Sequence, residues 1–324
     1  MLTVLKPGLL SSVQDQGRPG WQGHGISAGG AMDLAAARWA NRLVGNATTA
    51  AVLEVTLSGP TLRLEQGHWL ALAGGAVDAT LAGRPWPVGS LAWAPAGSTV
   101  RLGGLREGCR ACLAVAGGLD VPELMGSRST ALRAGFGGLD GRALRAGDTL
   151  AVQRSLLPAP VLAAEPWISR WRLRPAIYTD SGIARLRLVT AEELPERCLQ
   201  ALLAAEFMVS PQSDRMGLRL AGPAIAHPVP EQRLSAGLAL GSVQLPPDGQ
   251  PIILGADRQS TGGYPLLGTV ASVDHSLLAQ LRPGGRVVFS VITLADAHAA
   301  LRRWQRLEAM ALAELGRRLG QLAA

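Results

Sequence analysis

The sequence predicts a mainly β protein of two similar subdomains, with a few short helices and a long amphipathic helix at the C-terminal end. Three observations carry that prediction. Short apolar runs recur along the chain, punctuated by glycine and proline, of which there are 40 and 21. Helical periodicity is confined to a few segments. The length, 324 residues, exceeds what a single hydrophobic core usually serves.

In chain order, the strand-like runs are Leu2 to Leu5, Ala51 to Leu57, Thr61 to Leu64, Trp69 to Ala73, Thr99 to Leu102, Ala111 to Ala116 and Thr149 to Gln153. Their spacing suits β-barrels or sandwiches. Asp33 is placed to cap a helix over Leu34 to Val44 that ends at Gly45. A second helix is expected from about Pro195 to Glu206, with proline in its first turn, and a short third from Asp274 to Leu281, stopped by Pro283. The last runs from about Thr293, with Leu294, Leu301, Trp304, Leu312, Leu315 and Leu319 over charged positions. Two short echoes favour duplicated architecture: Leu144-Arg-Ala-Gly147 with Leu281-Arg-Pro-Gly284, and Leu57-Ser-Gly-Pro60 with Leu220-Ala-Gly-Pro223. The stretch from Pro158 to Glu165 reads as a linker, giving subdomains at 1–160 and 161–292 and a helix at 293–324.

Composition narrows the function classes. Apolar residues are 48% and charged residues 17%, enough to bury a sizeable core. No window reaches the roughly 18 uninterrupted apolar residues of a membrane span, and the start lacks the basic and apolar regions of a secretion signal, so a cytoplasmic location is expected. Cys109, Cys112 and Cys198 are too few and too odd in number for a disulfide framework. Cys109 and Cys112 have the spacing of a metal or redox pair, but they open a strand, where positions three apart point to opposite faces. His24, His68, His227, His275 and His298 are scattered, so no metal site is expected. The net charge of +7 raises nucleic-acid binding, yet Arg170, Arg172 and Arg174 alternate with Trp171 and Leu173 as in a half-buried strand, and the other arginines form no stripe. Lys6 is the only lysine. The chain therefore has neither a lysine-bearing phosphate loop nor a biotinyl-lysine setting, and other chains must supply those devices if ATP or biotin takes part.

The polar residues gather on glycine-rich turns. Gln14-Asp-Gln-Gly-Arg-Pro-Gly20 leads through Gly29-Gly-Ala-Met-Asp33 into the first helix, bringing Asp15, Arg18 and Asp33 to a backbone able to approach a ligand. Such a run builds a site or simply a turn-rich loop, and by itself leaves both open. Further clusters follow at Ser210-Pro-Gln-Ser-Asp-Arg-Met-Gly217, Gly241-Ser-Val-Gln244 and Asp257-Arg-Gln-Ser-Thr-Gly-Gly-Tyr264. With NRLVGN, VAGGLDVPELMGSRST, FGGLDGR and AQLRPG, this ordered series resembles the biotin-dependent carboxyltransferase-like family, which holds the C subunit of 5-oxoprolinase, the Kip antagonist, the second subunit of allophanate hydrolase and part of urea carboxylase. The resemblance runs from about Leu2 to Ala297 and is loose between Ala163 and Ala205.

That resemblance implies two cyclophilin-like β-barrel subdomains and a Kip-inhibitor-like partner, the B subunit of 5-oxoprolinase. For a free-standing chain it implies ATP-dependent opening of 5-oxoproline to glutamate, shared with the A and B subunits. The alternatives are a biotin-dependent carboxyltransferase component acting on urea or another small amide, or a non-catalytic antagonist of a Kip-inhibitor-like protein. An unreactive lactam needs carbonyl activation and donors for its anionic intermediates. Arg18 or Arg215 suits a carboxylate or phosphate, and Asp33, Asp214 and Asp257 are the candidate catalytic or orienting carboxylates. Asp15, Asn46, Glu54, Gln244, Gln259, Thr261 and Tyr264 complete the candidate substrate-binding set. Each has a plainer reading: Asp33 as a helix cap, Asp214 paired with Arg215 across a turn, Asn46 and Glu54 as supports, and Tyr264 closing a turn. Two departures stand out, Leu186-Arg-Leu-Val-Thr-Ala-Glu-Glu193 where the family often turns on Gly-Pro, and Ser260 where it often has threonine.

Overall fold

The computed structural model describes residues 1–160, 164–173, 182–192, 194–226 and 234–323. Arg174, Glu193 and His227, and part of the expected linker from Pro158 to Glu165, lie outside them. The chain falls into two compact units, one formed by Met1–Arg18, Gly29–Ala176 and Glu308–Ala324, the other by Pro19–Ala28 and Ile177–Leu307. This partition differs from the expected segments 1–160, 161–292 and 293–324. Residues 19–28 group with the second unit, and the last helix divides after Leu307.

The first unit is an eleven-stranded sheet. Its centre is a pair of long strands, His68–Leu81 and Thr99–Val115, each longer than the runs that predict them. Gly74 and Gly75 read as a strand end in the sequence, but here they sit at a register shift that bends the pair without ending it. Gly74 has φ +101, and a Cβ there would stand 2.7 Å from the Arg110 carbonyl and 3.3 Å from the Ala36 Cβ, so only glycine lets helix and strand approach this closely.

The period-2 pattern sorts side chains between two cores. Leu70, Leu72, Ala111, Leu113 and Val115 face one, with Leu53, Val55, Leu62 and Trp86. Trp69, Ala71, Ala73, Cys112 and Ala114 face the other, beneath helix α1 (Leu34–Leu43). Ala36, Ala37 and Ala40 of α1 are small enough to lie flat on that alanine-rich surface. Cys109, Cys112 and Cys198 are buried thiols without disulfides.

The second unit is a closed seven-stranded barrel: Ile183–Thr190, Leu266–Val270, Ser242–Gln244, Ile252–Leu254, Gly217–Ala221, Phe207–Val209 and Arg286–Val291. Its pairings are antiparallel except the one that closes it, where Ile183–Thr190 runs parallel to Arg286–Val291. Leu186, Leu188, Val209, Val243, Ile253 and Val287 fill the interior around Phe207 and Phe289, whose rings meet edge to face at 6.1 Å. Helices α2 (Glu196–Ala204) and α3 (His275–Ala279) add Cys198, Leu202 and Leu278 to this core. A buried Asp274 accepts from the Arg187 backbone N–H at 2.8 Å and pairs with its guanidinium, tying the turn before α3 to the barrel.

Helix α4 (Leu294–Ala323) begins as the sequence predicts, with Thr293 and Asp296 exchanging capping hydrogen bonds. In the first unit Ala311, Leu312, Leu315 and Leu319 pack beside α1, and the Arg318 guanidinium lies 5.6 Å from the Trp171 ring. Leu294, at the helix start, is exposed instead of lying on the packed stripe. Trp171 and Leu173 are half-buried between exposed Arg170 and Arg172, as the alternation predicts, although the strand itself is only Trp167–Ile168. Among the described residues no helix is long and apolar enough to cross a membrane.

The packing can be probed in each unit. Phe207→Ala removes a ring from the barrel core and is expected to cost the second unit about 3–5 kcal/mol, read from denaturant unfolding. In the first unit, burial lowers the His68 pKa from 6.5 to about 4, helped by the Met1 ammonium 3.2 Å away. The unfolded imidazole takes a proton before the folded one does, so this contribution is complete above pH 6.5 and declines as the pH falls toward 4. Unfolding measured across that window should show a shallower acid loss for His68→Gln than for wild type.

Candidate functional site

The candidate residues fall into one constellation in each unit. In the first, the strand Leu10–Gln14 ends at Asp15, whose buried carboxylate organises the glycine-rich run. Its Oδ1 accepts from the Gly17 N–H at 2.7 Å, from Ser127 Oγ at 2.7 Å and from Ser129 Oγ at 2.6 Å. Its Oδ2 accepts from the Arg128 N–H at 2.6 Å, and the Asp15 carbonyl accepts from the Ala31 N–H at 2.9 Å. Arg18, only 1% exposed, donates to the Ser129 carbonyl at 2.5 Å and lies 4.9 Å from the centre of the Phe136 ring. Sequence reasoning does not single out Ser127, Ser129 and Phe136, although all three lie in its glycine-rich motifs.

Glu54 and Asp33 meet at the start of α1. Glu54 sits on the helix-facing side of the sheet, opposite Ser12 and Cys112, and accepts from the Met32 N–H at 2.7 Å and the Asp33 N–H at 3.4 Å. Asp33 in turn accepts from the Ala36 N–H at 2.9 Å as a helix cap. Both carboxylates are buried where the helix presents its free N–H groups, the place where negative charge is best tolerated. Asn46 stands apart from this cluster: its amide bonds Asn41, the Val115 carbonyl and the Gly117 N–H, anchoring the end of α1 to the sheet.

In the second unit Arg215 and Asp257 form a buried two-point ion pair, Nε to Oδ2 at 2.8 Å and Nη2 to Oδ1 at 3.0 Å. The pairing of Asp214 with Arg215 across their turn is therefore corrected. Asp214 instead accepts from the Met216 and Gly217 N–H groups, closing its own turn, while the Arg215 carbonyl accepts from the Asp257 N–H. Ser27, in the segment 19–28, donates to the carbonyl of Ala256, one residue before Asp257. Beyond Asp257, Thr261 and Gly262 form a short strand against Ala236 and Gly237.

Gln244 is buried on its barrel strand, while Thr261 and Tyr264 are exposed and Gln259 lies at the exposed end of the same turn. A cleft of about 450 Å³ opens here, lined by Glu192, Leu194, Leu238, Gly262, Tyr264 and Pro265 among others. Its walls are mostly apolar with a few polar groups, as in small-molecule sites generally. Arg258 stands behind Leu238, donating to the Leu238 carbonyl at 3.1 Å and the Gly255 carbonyl at 3.3 Å. His275, half-buried with its ring nitrogen 3.2 Å from the Val270 carbonyl, is pushed below the ordinary histidine pKa chiefly by desolvation.

Two hydrogen-bonded polar centres stand on β frameworks, one of them beside an apolar cleft. The family model described as carboxyltransferase domain, subdomain A and B, matches residues 24–291, and the chain belongs to that family. It is 37% identical over 309 residues to the C subunit of 5-oxoprolinase from Escherichia coli (strain K12), covering 94% of this chain and 96% of the relative. The crystal structure of TTHA0988 superposes with a TM-score of 0.78 at 36% identity, covering 89% of this chain and 55% of that one. The Kluyveromyces lactis urea carboxylase structure superposes at 0.83 with 28% identity, covering 97% of this chain and 29% of that one.

The ion pair makes a prediction. Asp257→Ala leaves a buried guanidinium without its counter-ion and is expected to destabilise the second unit by about 3–5 kcal/mol. Arg215→Met combined with Asp257→Leu should recover much of that loss, and denaturant unfolding of the three variants measures the difference.

Proposed function

We propose that this chain is the C subunit of an ATP-dependent 5-oxoprolinase, which opens 5-oxoproline to glutamate together with its A and B subunits. The observation that carries this reading is the two-way coverage of the E. coli relative, in which nearly the whole of each chain is matched. The carboxylases, in contrast, are several times longer than this chain. ATP is a co-substrate of the complex, and its phosphate-handling lysine comes from another subunit, because the single lysine here, Lys6, is an exposed residue at a strand end.

The substrate is a cyclic amide bearing a carboxylate. Its ring suits the apolar walls around Leu194, Leu238 and Pro265, and its amide suits the hydroxyl of Tyr264. Asp257 acts by holding Arg215, and Asp33 and Glu54 by shaping the start of α1. A second reading is favoured by the family description and by the K. lactis superposition: a carboxyltransferase component acting on urea or another small amide, with carboxybiotin delivered on a separate carrier.

Co-expression with the A and B subunits, followed by measurement of glutamate released from 5-oxoproline, tests the first reading. The expected result is ATP-dependent glutamate that disappears when this chain is omitted and returns when it is added back. An assembled complex that makes no glutamate, but consumes carboxybiotin in the presence of urea, would replace the first reading with the second.

A further inference from the structure

The arginines that the sequence offers as anion binders are both engaged in the fold. Arg215 is neutralised by Asp257, and Arg18 lies over Phe136 with its guanidinium on the Ser129 carbonyl. Arg187 and Arg142 are likewise matched, by Asp274 and Asp148. Arg258 is different. It is half-buried, its hydrogen bonds go to the neutral carbonyls of Leu238 and Gly255, and among the described residues no carboxylate pairs with it. Desolvation without a compensating acid lowers its pKa. A guanidinium held in this way retains donors and an unbalanced positive charge.

Leu238, whose carbonyl takes the Arg258 bond, has a side chain that borders further donors. Gln244, 2% exposed, has a buried Nε2 with no hydrogen-bond partner among the described residues, an arrangement that costs stability unless something else accepts from it. A Cβ built on Gly262 would stand 2.7 Å from Gln259 Nε2, 2.9 Å from Gln244 Nε2 and 2.8 Å from Leu238 Cδ1. The two amide nitrogens therefore converge on one point beside a glycine that lines the cleft. The carbonyl of the same Leu238 holds Arg258. Glu192, on another part of the cleft wall, repels an anion from its own side.

We propose that Arg258, Gln244 and Gln259 form a carboxylate-binding cradle beside Gly262, which fixes the carboxylate of a small-molecule substrate while the rest of that molecule lies in the cleft. Naming the substrate as 5-oxoproline rests on the function proposed above; the cradle itself rests on the donors alone. Arg258 supplies the charge, and the two amides supply direction. Ligands are discriminated here by whether they carry a carboxylate, not by ring size.

The test is calorimetric titration of the full chain with three compounds: 5-oxoproline, 2-pyrrolidinone, which is the same ring without the carboxylate, and glutarate, a carboxylate without the ring. Wild type is expected to bind 5-oxoproline at least about tenfold more tightly than 2-pyrrolidinone. Arg258→Met should abolish that preference while leaving 2-pyrrolidinone binding unchanged, and Arg258→Lys should retain part of it. Gln259→Ala, at a position exposed enough to tolerate change, should weaken 5-oxoproline binding several-fold with no loss of thermal stability. Arg258-dependent binding of glutarate without binding of 5-oxoproline would keep the cradle and overturn the 5-oxoproline assignment. Equal 5-oxoproline affinity in wild type and Arg258→Met, or no carboxylate bound by wild type, would overturn the cradle.

Discussion

The carboxylate of Asp15 is the constraint on which the first unit's glycine-rich loops depend. One side chain accepts hydrogen bonds from the turn that follows it and from the serine-rich loop more than a hundred residues later. Its main chain receives the N–H of Ala31 and so fixes the approach to α1. A buried carboxylate survives only when its lone pairs are occupied, and here four donors occupy them. Glu54 does the same for the segment Met32–Asp33 from the sheet side. Between them the two carboxylates turn a sequence rich in glycine, with little apolar surface of its own, into defined backbone.

The second unit solves the same problem with a salt bridge. Arg215 and Asp257 come from turns at the ends of a strand pair and satisfy each other's charge, and the backbone bond from Asp257 to Arg215 runs beside the side-chain bonds. Charge that is fully matched is structural. Charge that is left over, as at Arg258, is open to a ligand, whereas the ion pair already engages Arg215.

Much of this is legible in the sequence because local rules govern it. The cap at Asp33, the helices α2 and α4, and the strands Thr61–Leu64 and Thr149–Val152 all follow from periodicity and punctuation. The long central strands are not, because Gly74 and Gly75 look the same in a sequence whether they stop a strand or bend it. The site is legible as a set of residues but not as a set of pairs. Nothing local distinguishes Asp214 from Asp257 as the partner of Arg215, since the choice is made by a strand pairing, Gly217 with Leu254, that brings distant turns together. Arg258 lies between the candidates Asp257 and Gln259 and carries no local mark, because its interest is the lack of an acidic neighbour, which only the fold reveals.

The parallel pair that closes the barrel carries a consequence for synthesis. Ile183–Thr190 must wait for Arg286–Val291, roughly a hundred residues downstream, and the entropy of closing so long a loop is met only when the last strand arrives. The first unit waits as well, since Leu315 belongs to its core. On the ribosome, then, the barrel stays open until its last strand is made, and the helix-side core of the first unit is complete only when Leu315 is. The strands of the first unit are all made by Ile168 and can pair early, so the open strand edge that the nascent chain has to carry longest is the barrel's, and it persists until Arg286–Val291 is made.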